Sequence, residues 1–152
     1  MNTLLLLIVV ALVLAFAASA VKRVPTGQVI SVYRRGKPRL LQPGTHLTLP
    51  LLDRMGHRID LGGRVLRFEE PLADAHGVRG TVYWQVLEPE RADPVIEQAD
   101  QLIRGGAMAA LREEPTALQT DRRDLGSRLK QSMNQALRER GMMVTRVELD
   151  IA

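Results

Sequence analysis

The sequence predicts an α+β protein, with one N-terminal transmembrane helix ahead of a single domain that holds a small, mainly antiparallel sheet and two packed helices. Three observations carry this. Residues 4–21 contain neither a charge nor a proline. Apolar residues then recur with a period near two as far as Val86, and after Pro94 the period becomes about 3.6. The boundaries are residues 1–21 for the membrane anchor and 22–152 for the domain, which at this length has room for one core.

The anchor comes first. A helix over residues 4–21 is about 27 Å long at 1.5 Å per residue, close to the ~30 Å hydrocarbon thickness of a bilayer. Ala18-Ser19-Ala20 matches a signal-peptidase site, which opens an alternative: an exported soluble binding module released by cleavage after Ala20. Against it, Met1-Asn2-Thr3 supplies no basic region, whereas Lys22-Arg23 follow directly. Positive charge resists translocation, so the expected form is an uncleaved, single-pass, N-out, C-in anchor with the domain in the cytoplasm, on a cell inner membrane.

Strands follow. Gln28–Arg34 is rich in β-formers (Val29, Ile30, Val32, Tyr33). Gly36-Lys37-Pro38 and Pro43-Gly44 read as turns. Leu40-Leu41 and Leu47-Thr48-Leu49 are short strands, the second closed by Pro50; Arg58–Leu61 and Val65–Glu69 continue, separated by Gly62-Gly63. Val82, Trp84 and Val86 share one strand face, and Pro89 ends that strand.

In the helical part, Ile96, Ala99, Leu102/Ile103, Ala107 and Ala110/Leu111 form one apolar stripe. Gly105-Gly106 interrupt it and mark either a bend or a close helix contact. A second helix after Pro115 presents Leu125, Leu129, Met133 and Ala136/Leu137, and Gly141 stands where a helix C′ glycine belongs. Outward faces carry Glu97, Asp100 and Arg104, then Arg128, Gln131 and Gln135. The last strand alternates, with Thr145, Val147, Leu149 and Ile151 on one face.

Composition narrows the chemistry. Aromatics are 3% of the chain, so the core is built from aliphatic residues and methionine. With no cysteine there is no disulfide, thiolate nucleophile or cysteine-based zinc site, and only His46, His57 and His76 remain as soft metal ligands. No hydrolase, zinc-protease, phosphate-loop or dinucleotide-binding motif occurs. The expectation is a non-enzyme without metal or other cofactor. Asp53, His57 and Asp60 read as solvated turn residues, and Glu113-Glu114 beside Arg122-Arg123 as a charged helix connection. Nucleic acid is not an expected partner, because the basic stretch offers only Tyr33 and Phe68 for stacking.

Charge is unevenly spread. Residues 22–67 hold ten Lys/Arg against two Asp, a net of +8; residues 68–152 hold eleven against fifteen acids, a net of −4. The basic half is the one that leaves the anchor. Lys22, Arg23, Arg34, Arg35, Lys37 and Arg39 are therefore assigned to the membrane surface, where each is worth about 1 kcal/mol against anionic lipid. Leu51 and Leu52 join them. Leu47, Leu49, Leu51 and Leu52 surround Pro50 in what should be a loop end, and exposed leucines there need lipid or a neighbouring subunit to cover them. A core location is the competing reading, above all for Leu47 and Leu49.

The ordered series Val21-Lys22-Arg23-Val24-Pro25-Thr26-Gly27, Arg35-Gly36, Leu41–His46, Leu49–Arg54, Arg58–Leu61, Val86–Ala92 and Gly141–Leu149 resembles the SPFH or band 7 domain, shared by stomatin, prohibitin, flotillin and HflK-HflC. It is most similar to bacterial stomatin-like proteins and covers nearly all of residues 1–151. The resemblance implies a non-catalytic membrane scaffold that organises membrane microdomains and associates with or modulates a membrane protease of the FtsH or NfeD type. Its expected partners are the bilayer, with anionic lipids, and itself or a longer SPFH paralogue. Two departures stand out. The connection between Glu70 and Val78 is shorter than the family's, and the sequence stops at Ala152, where the family continues into a coiled-coil arm. Self-association is accordingly expected to depend on sheet edges, lateral packing and concentration in the bilayer plane.

Overall fold

The computed structural model describes residues 2–71, 77–114 and 121–151, with Ile151 described by its backbone alone. It forms two compact units, Met1–Asp60 and Leu61–Ala152. In place of the one small antiparallel sheet expected from the strand periodicity, the described residues form three antiparallel sheets.

The first unit begins with α1 (Asn2–Ala20), which buries none of its residues and is apolar on every side. That all-round pattern belongs to a helix solvated by lipid or packed inside protein. The hydroxyl of Ser19 donates to the Phe16 carbonyl at 2.7 Å, so it is satisfied within the helix. The helix stops at Ala20, and Val21 already belongs to a strand, β1 (Val21–Val24). Next come β2 (Gln28–Arg34), β3 (Lys37–Leu41), β4 (Gly44–Leu47) and β5 (Asp53–Asp60). β1 pairs antiparallel with β4, placing Val21 opposite Leu47. The other three form a sheet in the order β3-β2-β5.

The β2–β3 turn is Arg35-Gly36, one residue earlier than the sequence suggests, and Lys37 and Pro38 are already in β3. Both turn residues have positive φ, 50° and 77°, the left-handed pair that matches the twist of a two-residue hairpin. Pro38 is tolerated because β3 is an edge strand. β2 buries Val29, Ile30, Ser31 and Val32 in succession. Its one buried polar side chain there is doubly used: the Ser31 hydroxyl accepts from the His57 N–H at 2.7 Å and donates to the His57 carbonyl at 3.3 Å. Those bonds bridge the place where the β2–β5 register shifts. The core of this unit is small, a cluster of Val24, Ile30, Val32 and Leu41 with Val29 and Ile59 also buried.

The second unit holds β6 (Arg64–Pro71), β7 (Gly77–Val86) and β8 (Met142–Ile151), antiparallel in that order. Its helices are α2 (Pro89–Ala92), α3 (Ala99–Glu113) and α4 (Arg122–Leu137), with 3-10 stretches at Asp93–Gln98 and Arg138–Arg140. Val78, Gly80, Val82, Trp84 and Val86 are the buried face of β7. The helix stripes are those expected: Ala99, Ile103, Ala107, Ala110 and Leu111 on α3; Leu125, Leu129, Met133 and Leu137 on α4. Ile96 falls in the 3-10 stretch before α3, so the long helix starts later than the apolar pattern does.

Gly105-Gly106 do not break α3; a Cβ on Gly106 would lie 3.9 Å from Met133 Cγ, an ordinary contact, and one on Gly105 would meet nothing within 4 Å, so the pair marks neither a break nor an approach that requires glycine. Gly126 is stricter. A Cβ there would stand 2.7 Å from the Val147 carbonyl oxygen, so α4 approaches β8 at a distance that only glycine allows. Gly141 ends the last helical turn in the left-handed region, as expected.

The final strand departs from clean alternation. Its register shifts against β7 so that Val144 faces Trp84 and Arg146 faces Tyr83, leaving Thr145 as the extra, exposed residue of a bulge. The Thr145 hydroxyl donates to the Tyr83 carbonyl at 3.1 Å and holds the bulge in place. Met142 and Val144 point inward before it and Leu149 after it. The side-chain amide of Asn134 covers the open edge of β8, accepting from the Val144 N–H at 2.7 Å and donating to its carbonyl at 3.0 Å.

Candidate membrane-contact site

The candidate surface lies in the first unit, where α1 meets the strands. Ala20, the last residue of α1, has its carbonyl bonded by the Thr48 N–H at 2.7 Å and by the Thr48 hydroxyl at 3.2 Å. With Val21 opposite Leu47, the end of the helix is fixed to residues 47–48 by backbone geometry. The leucine-rich segment therefore starts at the helix end.

Leu47, Leu49, Leu51 and Leu52 are 75, 45, 86 and 52% exposed. The core location considered for Leu47 and Leu49 does not occur, because β4 stops at Leu47 and only Thr48 of this stretch turns inward. Val21 and Met55, which the sequence did not single out, add to the exposed apolar surface. Fully covering a leucine is worth about 1.5–3 kcal/mol, so this is a costly surface to leave against water.

Asp53 organises the loop. Arg34 Nε donates to its Oδ1 at 2.6 Å and the terminal guanidinium nitrogen to Oδ2 at 2.8 Å, a bidentate fork. Oδ2 also accepts the Leu49 N–H at 2.8 Å. Asp53 is thus not a solvated turn residue: its side chain is only 4% accessible, against 42% for Arg34. The Arg34 hydrogen bonds above all, then the Leu49 N–H and the charges of Arg34 and Arg39, hold the Asp53 carboxyl down at about 2. The same bond raises the Arg34 guanidinium above its ordinary value.

Arg34, assigned to lipid from the sequence, is therefore already engaged by a carboxylate. Arg35, Lys37 and Arg39 are exposed on the hairpin that follows, and carry no ion pair among the described residues. In the ladders, Arg34 is opposite both Lys37 and Asp53, so the basic hairpin tip and the leucine loop occupy the same end of the sheet. On β1, Arg23 is exposed and Lys22 half-buried, opposite Thr45 and His46.

Some charged groups of the second unit pair between its elements. Glu114 meets Arg128 at 3.2 Å and Arg122 meets Asp150 at 3.0 Å, exposed pairs worth roughly 0–1 kcal/mol. Among the described residues no three His, Asp or Glu side chains gather to hold a metal ion. His76 and most of the short connection after Glu70 lie outside the described residues.

The SPFH domain / Band 7 family model matches residues 22–151. An uncharacterized protein of Schizosaccharomyces pombe is 28% identical over 140 residues, covering 85% of this chain; the chain spans 40% of that relative's length. The helix Asn2–Ala20 is long and apolar enough to cross a bilayer, and the SPFH domain is in general that of stomatin/prohibitin-type membrane scaffolds. This chain belongs to the SPFH / Band 7 family, whose members are in general not enzymes.

Proposed function

We propose that this chain is a single-pass membrane scaffold whose first unit rests on the bilayer surface through Leu51, Leu52 and the basic residues Lys22, Arg23, Arg35, Lys37 and Arg39. The observation that carries the reading is the exposed leucine row beginning where α1 ends. Three exposed basic residues on the hairpin supply about 3 kcal/mol against anionic lipid, and burying Leu51 and Leu52 a comparable 3–6 kcal/mol. Neither term alone is enough to ignore the other.

The domain side of the helix is taken as cytoplasmic and the helix as retained. Eight Lys/Arg against two Asp in the first unit support the orientation. Retention is supported by the Thr48 bonds to Ala20, since cleavage after Ala20 would remove a carbonyl that the fold uses. As a scaffold the chain clusters with itself or a longer SPFH paralogue, organises the surrounding lipid, and holds a membrane protease of the FtsH or NfeD type.

Flotation tests the surface contact. Residues 22–152 should float with phosphatidylglycerol-containing vesicles, lose binding as salt rises, and bind neutral vesicles weakly. Equal binding to both vesicle types removes the electrostatic part of the reading. Co-purification of the full chain in mild detergent, with mass measurement, reads out partner and stoichiometry together.

A further inference from the structure

Resting on the bilayer-contact reading above, we propose that Arg34 and Asp53 are positioning residues that hold the loop 49–52 as a preformed, charge-neutral wedge for the boundary between lipid headgroups and acyl chains. Hydrogen bonds close the loop on itself at Leu49. The Leu52 and Asp53 N–H groups both donate to the Leu49 carbonyl, at 2.9 and 2.8 Å. The Leu49 N–H is taken by the Asp53 carboxylate, and Pro50 has no N–H to satisfy. Leu51 carries the one N–H of the loop without a partner among the described residues. Unsatisfied backbone groups are what keep irregular loops out of the hydrocarbon core; here internal bonds take the Leu49 and Leu52 N–H groups and the Leu49 carbonyl, while the carbonyls of Pro50, Leu51 and Leu52 have no partner among the described residues and suit the loop to the wet headgroup boundary.

Charge follows the same logic. The first unit has two acids. Asp60 stands opposite Gln28, at the far end of the β2–β5 ladder. Asp53 sits directly beside the exposed leucines, where a free carboxylate would be repelled by anionic headgroups and expensive to dehydrate. The bidentate Arg34 cancels that charge and covers the carboxylate, and Arg35, Lys37 and Arg39 stay open for lipid phosphates. An Asp53 carboxyl held near 2 is ionised across the whole range in which the pair must stay closed.

The test uses the full chain reconstituted in vesicles of mixed phosphatidylcholine and phosphatidylglycerol. The sequence has no cysteine, so Leu51→Cys offers a single site for an environment-sensitive fluorophore. Trp84, the single tryptophan, independently reports the folding of the second unit. With the pair intact, the probe at Leu51→Cys should emit from an apolar environment and be quenched by lipids brominated near the headgroup.

Adding Asp53→Asn leaves Arg34 uncompensated and should cut that quenching several-fold; the swap R34D/D53R should restore part of it. An aqueous emission with the pair intact overturns the bilayer contact itself. Deep probe, folded protein and unchanged quenching in Asp53→Asn overturn the positioning role alone, since an ordinary stabilising ion pair shifts the melting transition and leaves depth untouched. Should Asp53→Asn fail to melt cooperatively, Arg34→Lys decides. It keeps the charge and loses the fork, and full quenching in that folded variant overturns the proposal.

Discussion

The two units dispose of their apolar side chains in opposite ways. In Met1–Asp60 the large apolar residues are mostly outside: eleven of α1 from Leu4 to Phe16, followed by Val21, Leu47, Leu49, Leu51, Leu52 and Met55, around a core of six aliphatic side chains among the described residues. In Leu61–Ala152 they are mostly inside, and Val65 and Leu87 are the large ones left exposed among the described residues. Charge divides the same way, eight Lys/Arg against two acids in the first unit and thirteen against fifteen in the second. A unit that buries its own hydrophobics is stabilised by itself. One that exposes them, with a basic rim, has the two properties on which the proposed lipid contact rests.

The largest effect should fall on the self-sufficient unit. Trp84 is fully buried, so Trp84→Ala should cost about 3–5 kcal/mol, measured by denaturant unfolding. A loss below 1 kcal/mol would mean that the second unit is not organised around it. Next comes Gly126→Ala, which forces α4 away from the Val147 carbonyl and should cost about 1–3 kcal/mol as overpacking does. Thermal melting reads it, and a neutral result would show that α4 can slide.

In the first unit the stability contrast is with acid. The Asp53 carboxyl is lowered from 3.8 to about 2 in the folded state, so the unfolded chain binds this proton more readily. The pair's contribution is complete above the ordinary carboxylate value and is lost as pH falls through that interval. Wild type and Asp53→Asn should converge in melting temperature toward pH 2 and differ most near neutrality. A difference that does not change with pH would mean the ion pair is not what Asp53 provides.

The smallest effect on folding, and the largest contrast with Trp84, should come from the double change Leu51→Ser and Leu52→Ser. Both side chains are exposed, so stability should stay within about 0.5 kcal/mol of wild type, with vesicle flotation of residues 22–152 clearly weakened. If the melting transition disappears instead, the leucines belong to the fold and the two units are alike after all.

How much of this was legible in the sequence depends on the range of the interaction that decided it. The apolar helix follows from an unbroken apolar run, although it ends at Ala20 and not Val21, and the strand Gln28–Arg34 from its β-formers; the buried face of β7 and both helix stripes follow from periodicity, because burying one face of a regular element fixes which residues repeat. The Gly141 cap is equally local, a matter of which residue tolerates a left-handed backbone. The resemblance in ordered motifs gave the family, which the match over residues 22–151 bears out.

Where the sequence fell short, pairing between distant strands made the choice. Thr145 could not be known as a bulge until β8 was set against Tyr83 and Trp84, since alternation carries no record of an inserted residue. Leu47 and Leu49 look like core until β4 ends early and Thr48 turns in to hold Ala20. Asp53 and Arg34 are nineteen residues apart and meet only because β2 and β5 lie antiparallel. Local sequence determined that this chain has an apolar N-terminal helix, basic strands and leucines beside them. The tertiary structure decided that one carboxylate and one guanidinium bind those leucines into a single shape, because that depends on register, and register is a property of two strands at once.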